Sequence, residues 1–299
     1  MRILVFRTCS LLVALMLVLS SSHSASAQDV SPRWNLQKGQ VFDVVMKQDI
    51  RQIMRMHGLA DQEIPTTQEI DMTWSVADAS ADEFTLEQTM TRMRMSIRSP
   101  MMNMTIDSNE GTPTDSMARQ MKESLDRIIG QKMLVRMNRR GAVLAVTLPE
   151  SITTAANVPG NPISGDTLKG LMQQSSLMFP ETALQRGTTW QQTADMGMSG
   201  LPMKSTITFT YEGLDDSSGR QAHRVSQRSD MSLGSGPMGL PMTLKSQENT
   251  GTLLFDATGG YLSASTARMK MTMEIEAGGQ RVEQDIVGDI TLAVTPRKP

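Results

Sequence analysis

The spacing of apolar residues predicts β-strands along most of this chain. Val41 to Met54 is predicted to be a strand, because Phe42, Val44 and Met46 alternate with Asp43, Val45 and Lys47, the period of a strand with one buried face. Arg55 to Pro65 lacks this alternation, so we predict a turn region there. The alternation recurs over residues 70–76, 84–97, 102–106, 133–148, 203–211, 221–228, 261–276 and 280–294.

The alternation changes phase once inside a predicted strand. Apolar residues lie at even positions from Phe84 to Met90 and at odd positions from Met93 to Ile97. One extra residue in a strand turns the following side chains to the other face. We therefore predict a bulge near Thr91 and Arg92.

Two stretches have the period of a helix. In Pro113 to Gly130 the apolar residues form one stripe, Thr114 or Asp115 can cap the N-terminus, and Gly130 can end the helix. We predict helices over about 114–129 and about 165–178, the latter after a Pro- and Gly-rich linker at 149–162 and before Pro180. The stripe of the first helix consists of Met117, Met121, Leu125, Ile128 and Ile129, and one face of the second carries Leu168, Leu171, Met172 and Ser175.

Short repeats connect the two halves of the chain. The motif from Leu36 to Gly39 recurs as Leu184 to Gly187, and the spacing of Asn138 and Gly141 recurs at Asp256 and Gly259. We predict a first β-rich unit at 28–150 and a second at 151–299. A duplicated unit explains these matches, and chance is the alternative.

A tighter repeat reads G-x-x-G-L-P-M at 197–203 and again at 236–242. Gly and Pro at this spacing make loops, and these loops carry Leu and Met. The segments are either bulged strand edges tucked onto the core, or apolar loops at the mouth of a cavity or on a partner surface.

The N-terminus has the pattern of a secretory signal peptide. Arg2 and Arg7 precede the apolar run from Leu11 to Leu19, and Ala25-Ser26-Ala27 resembles a cleavage site. Removal of residues 1–27 would leave 272 residues without cysteine and without a transmembrane segment. We expect a secreted or periplasmic protein with no disulfide, thiolate zinc site or cysteine nucleophile. With 27 basic and 31 acidic residues remaining, nucleic acid is not an expected partner.

The composition is unusual in its 27 methionines, against 11 aromatic residues. Methionine is flexible and polarisable, so a core built from it adapts to different shapes. Thioethers also bind Cu(I), and M-x-M motifs place two sulfurs on one strand face. A methionine-built core requires the same spacing, so Cu(I) binding is the weaker interpretation, with Met54 to His57 as its best candidate.

Other motifs that match a catalytic or binding pattern lack the surrounding residues that the pattern requires. The G-x-G-x-x-G match at 234–239 contains Pro237 and is followed by Pro241, and these prolines prevent the helix needed to bind a pyrophosphate. His57 and His223 lie in no metal-ligand motif, and no G-x-S-x-G elbow occurs. Asp107, Asn109 and Asp115 lack the full spacing of a calcium loop, so capping and turn roles are preferred. We predict no enzyme activity, no cofactor and no metal site.

Several motifs together resemble a known family. They are W-N-L-Q-K-G-Q-V-F at 34–42, I-D-S-N at 106–109, F-P-E-T-A-L-Q-R-G-T-T-W at 179–190 and G-T-L-L-F-D-A-T-G-G-Y at 251–261. The chain resembles a family of uncharacterised secreted bacterial proteins that is related to lipoprotein-carrier half-barrels. That resemblance implies a strongly curved antiparallel sheet closed by helices over an apolar cavity.

We therefore expect a mainly β fold with two helices: a strongly curved antiparallel sheet or half-barrels with helices on the concave face. The functional hypothesis is binding of an apolar ligand, such as a lipid or acyl chain, between sheet and helices. The alternative is a structural or protein-interaction module of the cell envelope with a solid core. The predicted ligand-lining residues are Met93, Met95, Met117, Met121, Leu125, Leu171 and Met172.

Overall fold

The computed structural model describes residues 29–56, 58–99, 103–152, 172, 176–198, 201–216, 219–233, 242–277 and 280–298. Within these ranges the elements are β1 (Val41–Met56), β2 (Gln62–Ala79), β3 (Glu83–Arg98), β4 (Asn103–Asp107), α1 (Ser116–Asp126), β5 (Lys132–Asn138), β6 (Val143–Thr147), β7 (Thr189–Met198), β8 (Leu201–Asp215), β9 (Ala222–Leu233), β10 (Met242–Asp256), β11 (Tyr261–Ala277) and β12 (Gln280–Pro296). None of the helical segments described is long and apolar enough to cross a bilayer. The predicted signal peptide, the linker beyond residue 152, most of the second predicted helix and His57 lie outside the described residues.

All twelve strands belong to one antiparallel sheet. Its order is β6-β5-β3-β2-β1-β12-β11-β10-β9-β8-β7, and β4 pairs with the second half of β3 beside β5. The sheet is strongly curved, because Trp34 packs against both Phe84 in β3 and Phe255 in β10, which have four strands between them. The predicted fold class is confirmed.

The first and last strands pair along almost their whole length, so the sequence halves share one sheet. β1 to β6 come from the first predicted unit and β7 to β12 from the second. The main core takes side chains from both, so the boundary near residue 150 stays a prediction about sequence organisation.

The repeated turns have the same local structure. Gly39 and Gly187 have φ angles of 86° and 88°, a region that glycine occupies without strain. Gly39 N–H donates to the Val76 carbonyl, and Gly187 N–H donates to the Tyr211 carbonyl, each in the neighbouring strand. Both motifs therefore start a strand and fix it to the next one by the same bond, as a duplicated unit requires.

Two irregularities of β2 and β3 have different outcomes. Asp71 pairs with Arg92 and Met72 with Met90, so Thr91 is the extra residue and the predicted bulge is confirmed. The turn predicted over 55–65 is too long, because β2 already begins at Gln62 and includes Pro65. Proline is tolerated there because pairing between β2 and β3 begins only at the next residue, so its missing N–H leaves no gap in that ladder.

The core fills one end of the curved sheet, which we call the plugged end. Trp34, Leu177 and Phe179 lie between the opposing strands and are at most 4% exposed. The indole Nε1 of Trp34 donates to the Leu177 carbonyl at 3.1 Å. A Cβ at Gly141 would overlap that carbonyl oxygen, so this turn requires glycine.

Helix α1 packs on the sheet with only part of the predicted stripe: Met121 and Leu125 pack there, and Met117 does not. Asp115 caps it, accepting from the Ala118 N–H at 2.8 Å, as one of the two predicted caps. The helix is shorter than predicted, ending at Asp126, and Gly130 follows with a φ of 77°. Its buried residues are Ala118, Lys122 and Leu125.

Met117 was wrongly placed on the packed face, since it is 56% exposed. The reason is that Lys122, a charged residue, is buried in the stripe instead. Its Nζ donates to the Ser108 carbonyl at 3.2 Å and to the Asp126 carboxylate at 2.9 Å. This bonding allows the aliphatic stem to pack, which rotates the packed face away from Met117.

Candidate functional site

The two faces of the sheet differ sharply in chemistry. Directly opposed residues in neighbouring strands point to the same face, so the pairing register assigns every strand residue to a side. The inner face carries the core at the plugged end, beginning with Phe42 and Val44 of β1. Toward the other end of the strands, which we call the far end, the inner face continues with methionine, isoleucine and glutamine.

The apolar side chains at the far end form a continuous surface across five strands. We call it the inner methionine surface. It consists of Ile50, Met54 and Met56 of β1, Ile64 of β2, Leu244 of β10, Met269, Met271, Met273 and Ile275 of β11, and Val282 and Ile286 of β12.

Most of this surface is partly exposed, in contrast to the plugged end. Met271 is 9% exposed, and the other members are more exposed than that. At the plugged end, Phe42 and Val44 on the same face of β1 are at most 2% exposed. Across β1, β2, β10, β11 and β12, the described residues thus bury the inner face fully only at the plugged end.

Uncharged amides accompany the apolar side chains. Gln48, Gln68 and Gln52 lie on the inner face between the isoleucines and methionines of β1 and β2. Among the described far-end residues of β1, β2, β10, β11 and β12, no Asp, Glu, Lys or Arg lies on the inner face.

The charged residues of these strands lie on the outer face instead. Lys47 pairs with Glu69 at 3.2 Å, and Arg55 pairs with Asp285 at 2.6 Å. The Arg55 guanidinium and the Thr272 hydroxyl lower the pKa of Asp285 by bonding to its carboxylate. Such exposed pairs contribute little to stability, but their segregation leaves the inner face neutral.

Gly288 lies in the middle of the inner face. A Cβ there would lie 3.3 Å from Ile50 Cγ1 and 3.4 Å from Met269 Cε. The side chains of β1 and β11 therefore approach each other across β12. Ile50 and Met269 are therefore close to each other on the inner methionine surface.

The predicted ligand-lining residues are only partly brought together. Met93 and Met95 of β3 lie on the inner face and pack with Met121 and Leu125 of α1. Met104 and Ile106 of β4 complete this cluster, which favours a solid core beneath α1 over a roofed pocket. Met172 packs against the main core, and Leu171 lies outside the described residues.

The candidate metal ligands have other partners. Both carboxylate oxygens of Asp107 accept from Arg92, at 3.0 and 2.5 Å, and Arg94 donates at 3.1 Å. These guanidinium groups hold the pKa of Asp107 well below its usual range. In the described part of the chain, no three His, Cys, Asp or Glu side chains are grouped to bind a metal ion.

His223 of β9 is buried on the inner face, opposite the core residue Phe255 of β10. Its Nδ1 lies 2.9 Å from the Tyr211 hydroxyl, and the residue is 8% exposed. Burial lowers the pKa of His223 and raises that of Tyr211, which favours the neutral form of each side chain.

We expect the free energy of unfolding to fall as the pH drops below about 6.5, the pKa of an unfolded histidine. The unfolded chain then gains a proton that the folded chain does not, with a slope of at most about 1.4 kcal/mol per pH unit. Urea unfolding between pH 7.5 and 5.5 measures it. His223→Leu should remove this slope; an unchanged slope in His223→Leu contradicts the assignment.

Two depressions lie away from the inner face. One, of about 320 Å³, is lined by Gly130, Leu134, Leu148 and Pro149 at the outer edge near β5 and β6. The other, of about 420 Å³, is polar and includes Glu212, Asp215 and Arg224. Inside it the Arg224 guanidinium donates to Asp215 at 3.0 Å, and the Ser226 hydroxyl donates to Glu212 at 2.7 Å.

One protein family matches part of the chain. Residues 81–159 match a family of unknown function (DUF6263), a stretch that runs from β3 through α1 to the residues after β6. This match confirms the resemblance to an uncharacterised family for that part of the chain. No curated protein matches the chain.

The solved structures that match this chain share little sequence with it. Lipovitellin, studied for its lipid–protein interactions, is 10% identical, with 88% of this chain and 26% of that chain covered and a TM-score of 0.48. DynF from the dynemicin biosynthesis pathway of Micromonospora chersina is 9% identical, covering 92% and 88%, with a TM-score of 0.24. An outer membrane channel from Pseudomonas putida F1 is 11% identical, covering 89% and 100%, with a TM-score of 0.24. The chain spans about a quarter of the lipovitellin chain.

Proposed function

We propose that the protein is an exported, non-enzymatic binding protein that holds an apolar molecule, such as a lipid acyl chain, on the inner methionine surface. One observation carries the proposal. The strands place their charges on the outer face and leave an uncharged, partly exposed apolar surface on the inner face. Covering such a surface contributes about 25 cal/mol for each Å² of apolar area removed from water, which the entropy lost on association offsets in part.

The shape and chemistry of the inner face suit a flexible chain. Trp34 and Phe179 fill the plugged end, so a ligand tail would end there and extend toward the far end. Met269, Met271 and Met273 have unbranched side chains that adapt to different apolar shapes. The proposal therefore names a class of ligand, long and apolar, rather than one compound.

Two further parts of the proposal have separate support. Export follows from the charged, apolar and small-residue pattern of residues 1–27. A non-catalytic role is supported by the chemistry of the inner methionine surface, because thioethers, alkyl groups and amides supply no general acid, base or nucleophile.

A fluorescent fatty-acid analogue tests the proposal. We expect saturable binding with a large rise in emission as the probe enters the apolar surface, and long-chain lipids in solvent extracts of the purified protein by mass spectrometry. No saturable binding together with no co-purifying lipid would contradict the proposal, and would favour an interaction module of the cell envelope.

A further inference from the structure

Asn249 presents an unused hydrogen-bond acceptor on the inner face of β10. The residue is 8% exposed, and its Oδ1 is buried without a hydrogen-bond partner in the described part of the chain. It lies opposite Met269, which is a member of the inner methionine surface. A buried polar atom without a partner costs about 1 to 3 kcal/mol, so its presence here needs an explanation.

The orientation of the amide is determined by its neighbours. Asn249 Nδ2 donates to the Ser229 carbonyl at 3.3 Å and to Gln247 Oε1 at 3.2 Å. Rotating the amide by half a turn would place Oδ1 against these two acceptors. The free atom is therefore the oxygen.

Gln247 does not supply the missing donor, because the Gln247 atom bonded to the Asn249 amide is the acceptor Oε1, and Asn249 Oδ1 has no hydrogen-bond partner. Gln247 Oε1 accepts from the Met231 N–H at 2.8 Å, and Gln247 Nε2 donates to the Met231 carbonyl at 2.8 Å. The pairing of β9 with β10 ends at Arg228 and Thr250, and this amide joins the two strands beyond that point. Both ends of the Gln247 amide are used in holding the strands together.

We propose that the ligand is a neutral lipid that carries a hydrogen-bond donor, a hydroxyl or an amide N–H, which binds to Asn249 Oδ1. This inference rests on the proposed function and adds the polar chemistry of the ligand. The uncharged inner face disfavours a phosphate or carboxylate beside Asn249, because a buried charge requires a partner. A hydroxyl or amide N–H supplies the bond that Oδ1 lacks without bringing a charge.

Two isomeric probes separate the donor from the rest of the ligand. Dodecanol and undecyl methyl ether have the same atoms and both accept hydrogen bonds, but only dodecanol donates one. Displacement of a bound fluorescent fatty-acid analogue measures both affinities. We expect the wild-type protein to prefer dodecanol by about ten-fold, the usual effect of satisfying one buried polar group.

Asn249→Leu should abolish this preference, whereas Thr250→Leu, on the exposed outer face of the same strand, should retain it. Equal displacement by both probes in the wild-type protein would overturn the inference and leave the proposed function intact; it would indicate that water satisfies Oδ1. A preference that persists in Asn249→Leu would also overturn it. If neither the analogue nor the alcohol binds, the proposed function fails and this inference with it.

Discussion

Replacing Trp34 by alanine should cost about 4 kcal/mol of unfolding free energy, the range seen for large buried aromatic side chains. Trp34 joins the two sides of the curved sheet, since its ring packs against Phe84 at 6.2 Å and Phe255 at 5.4 Å between centroids. Its loss would also leave the buried Leu177 carbonyl without its indole donor. Urea unfolding followed by circular dichroism measures the effect.

Two control variants separate these contributions. Trp34→Phe keeps an aromatic ring but removes Nε1, so it should cost about 1 to 2 kcal/mol. Lys38→Ala removes an exposed ion pair with Asp78 and should change stability by less than about 1 kcal/mol. If Trp34→Ala were no more destabilising than Lys38→Ala, the side chains of the plugged end would not hold the curved sheet together.

Placing one charge on the inner methionine surface should abolish binding of an apolar probe. Ile286 lies on the inner face of β12, opposite Gln52 and Met271. Ile286→Glu would require either a buried carboxylate or a displaced ligand, and should weaken binding at least roughly 100-fold, since a buried unpaired charge costs several kcal/mol. Titration with the fluorescent fatty-acid analogue measures the affinity.

The next residue of the same strand provides the matched control. Val287 lies on the outer face, opposite Arg51 in β1 and Lys270 in β11. Val287→Glu would find cationic partners there, so its probe affinity should equal that of the wild-type protein. Equal loss of binding in both variants would indicate general unfolding, and equal retention would place the ligand elsewhere.

Local patterns in the sequence predicted local structure well. The change of phase between Met90 and Met93 predicted the bulge at Thr91, because the side-chain period of a strand is two and one extra residue is visible in it. The repeated Leu-Gln-x-Gly motif predicted two turns whose backbone hydrogen bonds now match. In both cases the sequence signal lies within a few neighbouring residues, although the hydrogen bonds reach the adjacent strand.

Long-range partners explain the errors. The burial of Lys122 depends on hydrogen bonds to the Ser108 carbonyl and the Asp126 carboxylate. Ser108 lies outside α1, so the pattern of apolar residues along the helix does not reveal this acceptor. Met117 was therefore assigned to the wrong face. Pro65 was assigned to the end of a predicted turn, but it lies within β2. The sequence does not show that pairing between β2 and β3 starts only at Thr66, so that the missing N–H of Pro65 leaves no gap in that ladder.

The sequence predicted the residue types of the candidate site but not the strands that carry them. The sequence indicated a methionine-rich interior and named α1 and β3 as its lining. The structure places the exposed part of that interior on β1, β11 and β12, because β1 and β12 are neighbours although they are more than 200 residues apart. The segregation of charge between the faces of these strands becomes visible only with the pairing register.

Photo-crosslinking with a diazirine fatty acid tests the central claim most directly, because it locates the bound chain. After irradiation and digestion, mass spectrometry should find the label on inner-face residues such as Met54, Met273 and Ile286. Labelling should compete with unlabelled fatty acid. Label confined to the outer depression at Leu134 and Leu148, or no competed label, would contradict binding on the inner methionine surface.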